Sequence, residues 1–116
     1  ELLMMKAFEL KAKQYKSKVE KEVAFLNLPD VEVTRKVSSD KKVLSVGIYA
    51  FHNGDNFEAS YVVKVSGSGK AMRLYMVTDE DGPQLVYRGN LSVTAYSTFG
   101  DAILQECLTY IMEVTA

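Results

Sequence analysis

Apolar residues in the first 26 positions recur every seven residues: Met5, Ala12, Val19 and Leu26 form one series, and Phe8 and Tyr15 most of a second. No Gly or Pro interrupts the stretch, so the spacing predicts one amphipathic helix with a narrow apolar seam. A seam of that width suits a partner helix. It predicts that Met5, Phe8, Ala12, Tyr15, Val19 and Leu26 hold a homodimer or heterodimer together, as the end of a coiled coil that continues upstream of Glu1. Glu22 interrupts the second series, and Val23 and Phe25 turn toward other faces. The last turns are therefore expected to leave the coiled coil and dock on the remainder of the chain.

Pro29 cannot continue a helical ladder and disfavours helical geometry at Leu28, so the helix is expected to stop there. Beyond it the hydrophobic period shortens to two. Val31, Val33 and Val37 alternate with Glu32, Thr34 and Lys36, the pattern of a half-buried strand. From Val43 to Phe51 both faces are apolar, which predicts a central strand. Asn53-Gly54 then predicts a tight hairpin, and Phe57, Ala59, Tyr61, Val63 and Val65 line one face of a third strand. Gly67-Ser68-Gly69 marks the next reversal and Ala71 to Thr78 a fourth strand. Asp79-Glu80-Asp81-Gly82-Pro83 reads as an exposed loop. Gln84 to Arg88 and Leu91 to Tyr96 are shorter strand candidates.

Helical spacing returns at the C-terminal end, where Phe99, Ile103, Cys107, Tyr110 and Val114 recur and Leu104, Leu108 and Ile111 widen the stripe. Ser97 or Thr98 is the expected N-cap, with Asp101 in capping-box spacing after Thr98. So broad an apolar face predicts a helix lying across the sheet. The fold class that follows is α+β: an N-terminal helix, an antiparallel β-meander of four to six strands, and a C-terminal helix packed on the sheet. Residues 1–27 form the helix and residues 28–116 a single globular domain.

Composition changes this picture little, but it excludes several functions. With 47% hydrophobic and 25% charged residues, the chain is neither disordered nor membrane-embedded in character. It has no apolar run long enough to span a bilayer and no export signal, and its single cysteine excludes a disulfide framework. An intracellular setting, cytoplasmic or nuclear, is the expectation. The first 26 residues carry six Lys and four Glu, a balance of +2, so the remainder sums to −3 against the total of −1. An acidic globular part without a basic stripe argues against nucleic acid as a partner.

No catalytic, metal or cofactor motif emerges. Ser66-Gly67-Ser68-Gly69-Lys70 superficially resembles the end of a phosphate-binding loop, but Lys64 stands where its first Gly belongs and Ala71 where its Ser or Thr belongs. The Asp79–Gly82 turn fails the calcium-loop pattern, because Val77 and Arg88 occupy its first and last ligand positions. His52 has no recognisable nucleophile near it in sequence, and Cys107 reads as an inert core thiol. The aromatics are better candidates. Tyr49, Phe51, Tyr61, Tyr75 and Tyr87 sit on neighbouring strands, and Tyr is favoured at binding hot spots because it buries area while keeping a polar tip. They are expected to contact protein partners.

The order of these elements resembles the RWD-type globular domains of kinetochore and monopolin subunits. The resemblance is carried by Phe25-Leu26-Asn27-Leu28-Pro29-Asp30-Val31-Glu32-Val33, the hairpin from Leu44 to Val65, Gln84-Leu85-Val86-Tyr87 and the helix from Thr98. It implies dimerisation through a coiled coil and a peptide-binding surface on the sheet domain, in an adaptor that links chromosome-attachment proteins. The stretch Leu91 to Tyr96 is not demanded by that pattern. Two alternatives stay open: a SecB-like oligomeric chaperone, with Asn56 to Gly67 as its third strand, and a cone-shaped sheet enclosing a small-molecule pocket lined by Tyr49, Tyr61 and Tyr75.

Overall fold

The structure, a computed structural model, describes residues 2–116, with side chains from Met5 onward. Helix α1 (Leu2–Phe25) leads into five strands, β1 (Val31–Val37), β2 (Val43–His52), β3 (Asp55–Val65), β4 (Ala71–Thr78) and β5 (Gly82–Asn90), and the chain closes with helix α2 (Val93–Val114). The strands form one antiparallel sheet in sequence order, β1-β2-β3-β4-β5. The α+β class and the meander follow the sequence expectation.

Local chemistry explains each boundary. At the end of α1, Asn27 takes the left-handed conformation with φ of 55°. Its N–H donates to the Ala24 carbonyl and the Leu28 N–H to the Val23 carbonyl, the paired closure of a Schellman motif. Asn53 and Gly54 both have positive φ, 51° and 82°, as a two-residue type I′ hairpin requires. Gly82, at φ of 69°, ends the short β4–β5 loop.

The second half of the chain departs from expectation in two places: Gly82 and Pro83, expected in the exposed loop, already pair with β4 as the start of β5, and the approach to the last helix differs as well. Leu91 to Tyr96 is not a strand, and neither Ser97 nor Thr98 is the cap. Helix α2 begins at Val93, with Ser92 as an extended N-cap whose Oγ accepts the Ala95 N–H at 3.1 Å. The reason lies in the stripe: Tyr96 is fully buried together with Gly100, Ile103, Leu104, Cys107, Leu108 and Ile111, so the apolar face of α2 already starts at Tyr96.

Both helices pack on the same side of the sheet. Helix α1 lies against β1 and β2, α2 crosses mainly β3 with contacts to β2 and β4, and the helices touch each other. Between them and the sheet is a single core that includes Phe8, Leu44, Ile48, Tyr61, Leu74 and Ile111. The N-terminal helix is thus part of the same folding unit as residues 28–116. The opposite face of the sheet carries no helix.

Candidate interaction surface

The seven-residue series of α1 is used within the chain. Met5, Phe8, Ala12, Tyr15 and Val19 are all buried in the shared core, and only Leu26 stays partly exposed. Phe8 meets Tyr96 edge-on with centroids 5.2 Å apart, and the Tyr15 hydroxyl donates to the Ser97 carbonyl at 2.9 Å. Lys18 reaches Asp101 of α2 at 2.9 Å rather than Glu22, which instead accepts from Gln105. The expected dimer seam is therefore not presented to a partner helix. A spacing pattern reports only that a stripe is covered, and here the sheet and α2 cover it.

The expected partner-binding aromatics divide between the two faces of the sheet. Tyr61 is fully buried under the helices, and Tyr87 packs against Phe99 of α2 at 5.6 Å. These two serve the core. Tyr49, Phe51 and Tyr75 lie on the helix-free face, since their register partners Glu58, Asn56 and Val62 alternate with the buried set. This arrangement also separates Tyr61 from Tyr49 and Tyr75, so the three do not line one pocket.

Tyr49 is the most constrained residue on the open face. Its hydroxyl accepts from Lys36 Nζ at 2.9 Å and donates to Glu58 Oε1 at 2.8 Å, linking β1, β2 and β3. The ring lies over Gly47, where an added Cβ would stand 3.2 Å from Tyr49 Cε2. The Lys36 ammonium sits 4.9 Å from the ring centroid, and its hydrogen bond to Tyr49 raises the Lys36 pKa. A fixed aromatic with both polar ends engaged offers contact area at little further entropic cost. Phe51 and Leu85, 55% and 53% exposed, add apolar area on this face.

Charge on the sheet is sorted by end. Asp30 and Glu32 begin β1, Asp55 and Glu58 begin β3, and Asp79, Glu80 and Asp81 join β4 to β5. All of these fall at one end, where Asp30, Glu32, Glu58 and Asp79 line a cleft of about 500 Å³ together with Tyr49 and Phe51. At the other end are Lys36, Lys41 and Lys42, then Lys64, Lys70, Arg73 and Arg88, with Asp40 as the one acid. Register sharpens the contrast: Lys64 is opposite Arg73, and Arg73 opposite Arg88. Like charges directly opposed across strands destabilise a sheet. None of the three is in an ion pair among the described residues, and Lys64 rests 5.3 Å from the Tyr75 ring centroid.

This cationic row escaped sequence reasoning because it depends on strand register. A second feature it missed is an apolar patch on the helical side, where Phe25, 89% exposed, stands near Leu26 and Met112. Phe25 is the informative residue there, since it is the last position of α1 and turns away from the buried stripe.

The residues considered for chemistry lie apart from this face or in turns. Cys107 is buried on α2, and burial pushes its thiol up to about 12. His52 sits at the end of β2 with its ring nitrogen 3.2 Å from the Asn53 side-chain amide. Ser66 to Lys70 forms the β3–β4 turn, closed by the Gly69 N–H on the Ser66 carbonyl. Among the described residues, no group of three His, Cys, Asp or Glu side chains is placed to hold a metal ion, and no helix is long and apolar enough to cross a membrane. Comparison with family models, curated proteins and solved structures yields no significant match.

Proposed function

We propose that this chain is a non-catalytic protein-interaction module, and that its recognition surface is the helix-free face of the sheet. The observation that carries the reading is the one-sided packing: both helices cover one face, while the other presents Tyr49, Phe51, Tyr75 and Leu85 between an acidic and a basic end. An aromatic anchor flanked by charge of opposite sign at its two ends is the composition of a binding surface rather than of a solvated one. The adaptor role implied by the RWD-type resemblance agrees with this reading. The buried, protonated thiol of Cys107 supports a structural rather than nucleophilic role for that residue.

Site-specific photo-crosslinking tests the proposal. A photoactivatable residue is placed at Leu85 on the open face, at Met112 on the helical patch, and at Lys13 on the outer side of α1, and each variant is irradiated in the cells that produce the native chain. Protein adducts are expected from Leu85, and from neither of the other positions. Adducts from Met112 alone would move recognition to the helical side, and adducts from none of the three would remove the open face as a contact surface.

A further inference from the structure

We infer that the free edge of β1 takes an extended segment of another protein as a further antiparallel strand, lodged in the cleft between that edge and α1. This goes beyond the open-face reading and does not depend on it. It starts from the direction in which the β1 backbone points. The Asp30 carbonyl accepts from the Phe51 N–H just before the strand, and the Ser38 N–H donates to the Val43 carbonyl just after it, at 3.0 and 2.9 Å. The register between these two bonds is unbroken. Successive residues of an antiparallel strand turn their backbone groups to opposite sides. Glu32, Thr34 and Lys36 therefore bond β2, while Val31, Val33, Arg35 and Val37 aim their N–H and C=O groups away from the sheet. No strand lies on that side, and among the described residues these outward groups have no hydrogen-bond partner.

Val33 is the telling residue. It is only 6% exposed, which leaves its outward groups little room for water, and buried backbone groups are rarely left unpaired in folded proteins. A cleft of about 450 Å³ reaches it, walled by Lys16, Glu20, Val23 and Ala24 of α1 on one side and by Val31 and Val33 on the other. Lys13 lies outside this cleft. An edge strand beside a helix, with an apolar floor between them, can hold a peptide strand by main-chain bonds and receive its alternate side chains. The opposite edge of the sheet is blunted. On β5, Pro83 has no N–H to offer and the register shifts opposite Leu74 and Tyr75, both devices that protect an edge. Strand β1 has neither, and its lysine does not guard it, since Lys36 Nζ is drawn inward to the Tyr49 hydroxyl at 2.9 Å.

The side chains specify the occupant. A residue opposite Val31 or Val33 points to the helix side, into a cleft that Val23, Ala24 and the two valines make apolar, so it is apolar. A residue opposite Arg35 meets a guanidinium that is in no ion pair among the described residues, so it is acidic. In the antiparallel sense the segment reads, from its N-terminus, acid, any residue, apolar, any residue, apolar. A second copy of β1 does not meet these requirements. Any antiparallel pairing of two β1 strands that covers both Val33 and Arg35 sets Arg35 against Val31, Val33 or its own counterpart, which places a guanidinium in the apolar cleft or opposes like charges.

Random peptides of about twelve residues, long enough to span β1, displayed on phage and selected on the complete chain, give the test. Enriched peptides are expected to share the acid-x-apolar-x-apolar order. The most enriched one, added as a free peptide to the ¹⁵N-labelled chain, should slow amide exchange at Val31, Val33, Arg35 and Val37 about tenfold or more. Glu32, Thr34 and Lys36, already bonded to β2, should stay within about twofold. Methylating the peptide nitrogen that faces Val33 removes a backbone donor and should weaken binding about tenfold. Arg35→Glu should weaken binding about fivefold or more, with circular dichroism checking that the variant is folded. No enriched peptide, or an N-methylated peptide that binds as well as its parent, would overturn strand addition. Changes confined to Tyr49, Tyr75 and Leu85 would overturn the edge site and leave the open-face reading standing. Protection of the outward amides that grows with chain concentration without peptide would make the occupant a second copy and overturn the partner stated here.

Discussion

Tyr61 and Tyr96 stack with ring centroids 4.9 Å apart and planes 18° from parallel, yet only one of the two hydroxyls is satisfied. Tyr61 donates to the Tyr96 carbonyl at 2.7 Å, whereas among the described residues the buried Tyr96 hydroxyl has no hydrogen-bond partner. Opposite outcomes follow from the same chemical change. Tyr61→Phe should lower stability by about 1 kcal/mol, the net worth of one hydrogen bond, while Tyr96→Phe should raise it by a similar amount by deleting an unpaired polar group. Urea denaturation midpoints that shift in the same direction for both variants would contradict this.

Gly100 of α2 lies directly against the Tyr15 ring. A Cβ added there would collide with the ring and its hydroxyl oxygen, so Gly100→Ala should cost about 1–3 kcal/mol in overpacking, less about 1 kcal/mol from better helix propensity. In a Tyr15→Leu background the collision is absent and the sign should reverse. Equilibrium unfolding of the four chains of this cycle measures the coupling.

Helix α1 completes the core instead of extending from it, and Ala12 is fully buried there. Ala12→Asp places an unpaired carboxylate in that core, and loss of cooperative folding is expected, at more than about 3 kcal/mol. Removal of residues 1–24 should likewise leave a chain without dispersed amide resonances. Retention of a folded sheet after either change would show that the helix is dispensable. By contrast, Phe25→Ser should change stability by less than about 0.5 kcal/mol, because that ring is exposed.

Alkaline pH should unfold the protein through its buried aromatic cluster. Burial, and then the Asp101 carboxylate, push Tyr15 up to about 12; burial, and then the neighbouring Glu106, do the same to Cys107. Burial also raises Tyr61 and Tyr96. Below the unfolded-state values of about 8.5 for Cys and about 10 for Tyr, both states hold these protons and stability is at its full value. As pH rises further the unfolded chain releases them first, so stability falls. Urea midpoints should be flat to about pH 8, decline gently as the Cys107 difference develops, and drop steeply between about pH 10 and 12. Cys107→Ala should remove the earlier, gentler part.

Much of this fold was legible because strands announce themselves locally. Val33 alternates in burial as in sequence, and the apolar run Leu44 to Ala50 is a central strand as it reads. Phe57 to Val65 is a strand whose Ala59 to Val63 are buried on both faces, and Asn53-Gly54 dictated its own turn. What failed was any question of which surface covers a stripe. Ala12 and Val19 read as a seam for a partner helix because a helix carries no record of whether its neighbour belongs to the same chain. Ser92 was missed as a cap because Leu91 to Ala95 alternates like a strand, though the burial of Tyr96 one turn before Gly100 extends the helical stripe back to that point. The opposed row of Lys64, Arg73 and Arg88 exists only once register is known.

The separation between Tyr15 and its acceptor on Ser97 spans 82 residues, whereas every strand pairs only with its neighbour in sequence. During translation the sheet can therefore zip up through successive hairpins while α1, made before it, waits for α2, made after it. Throughout that interval Phe8 lacks Tyr96 and Tyr15 lacks Gly100. The nascent chain then carries apolar residues of α1 that have not yet met their partners on α2, the kind of transiently exposed surface that makes incomplete chains prone to association. The seven-residue spacing that the folded protein hides is, until α2 emerges, covered on one side only.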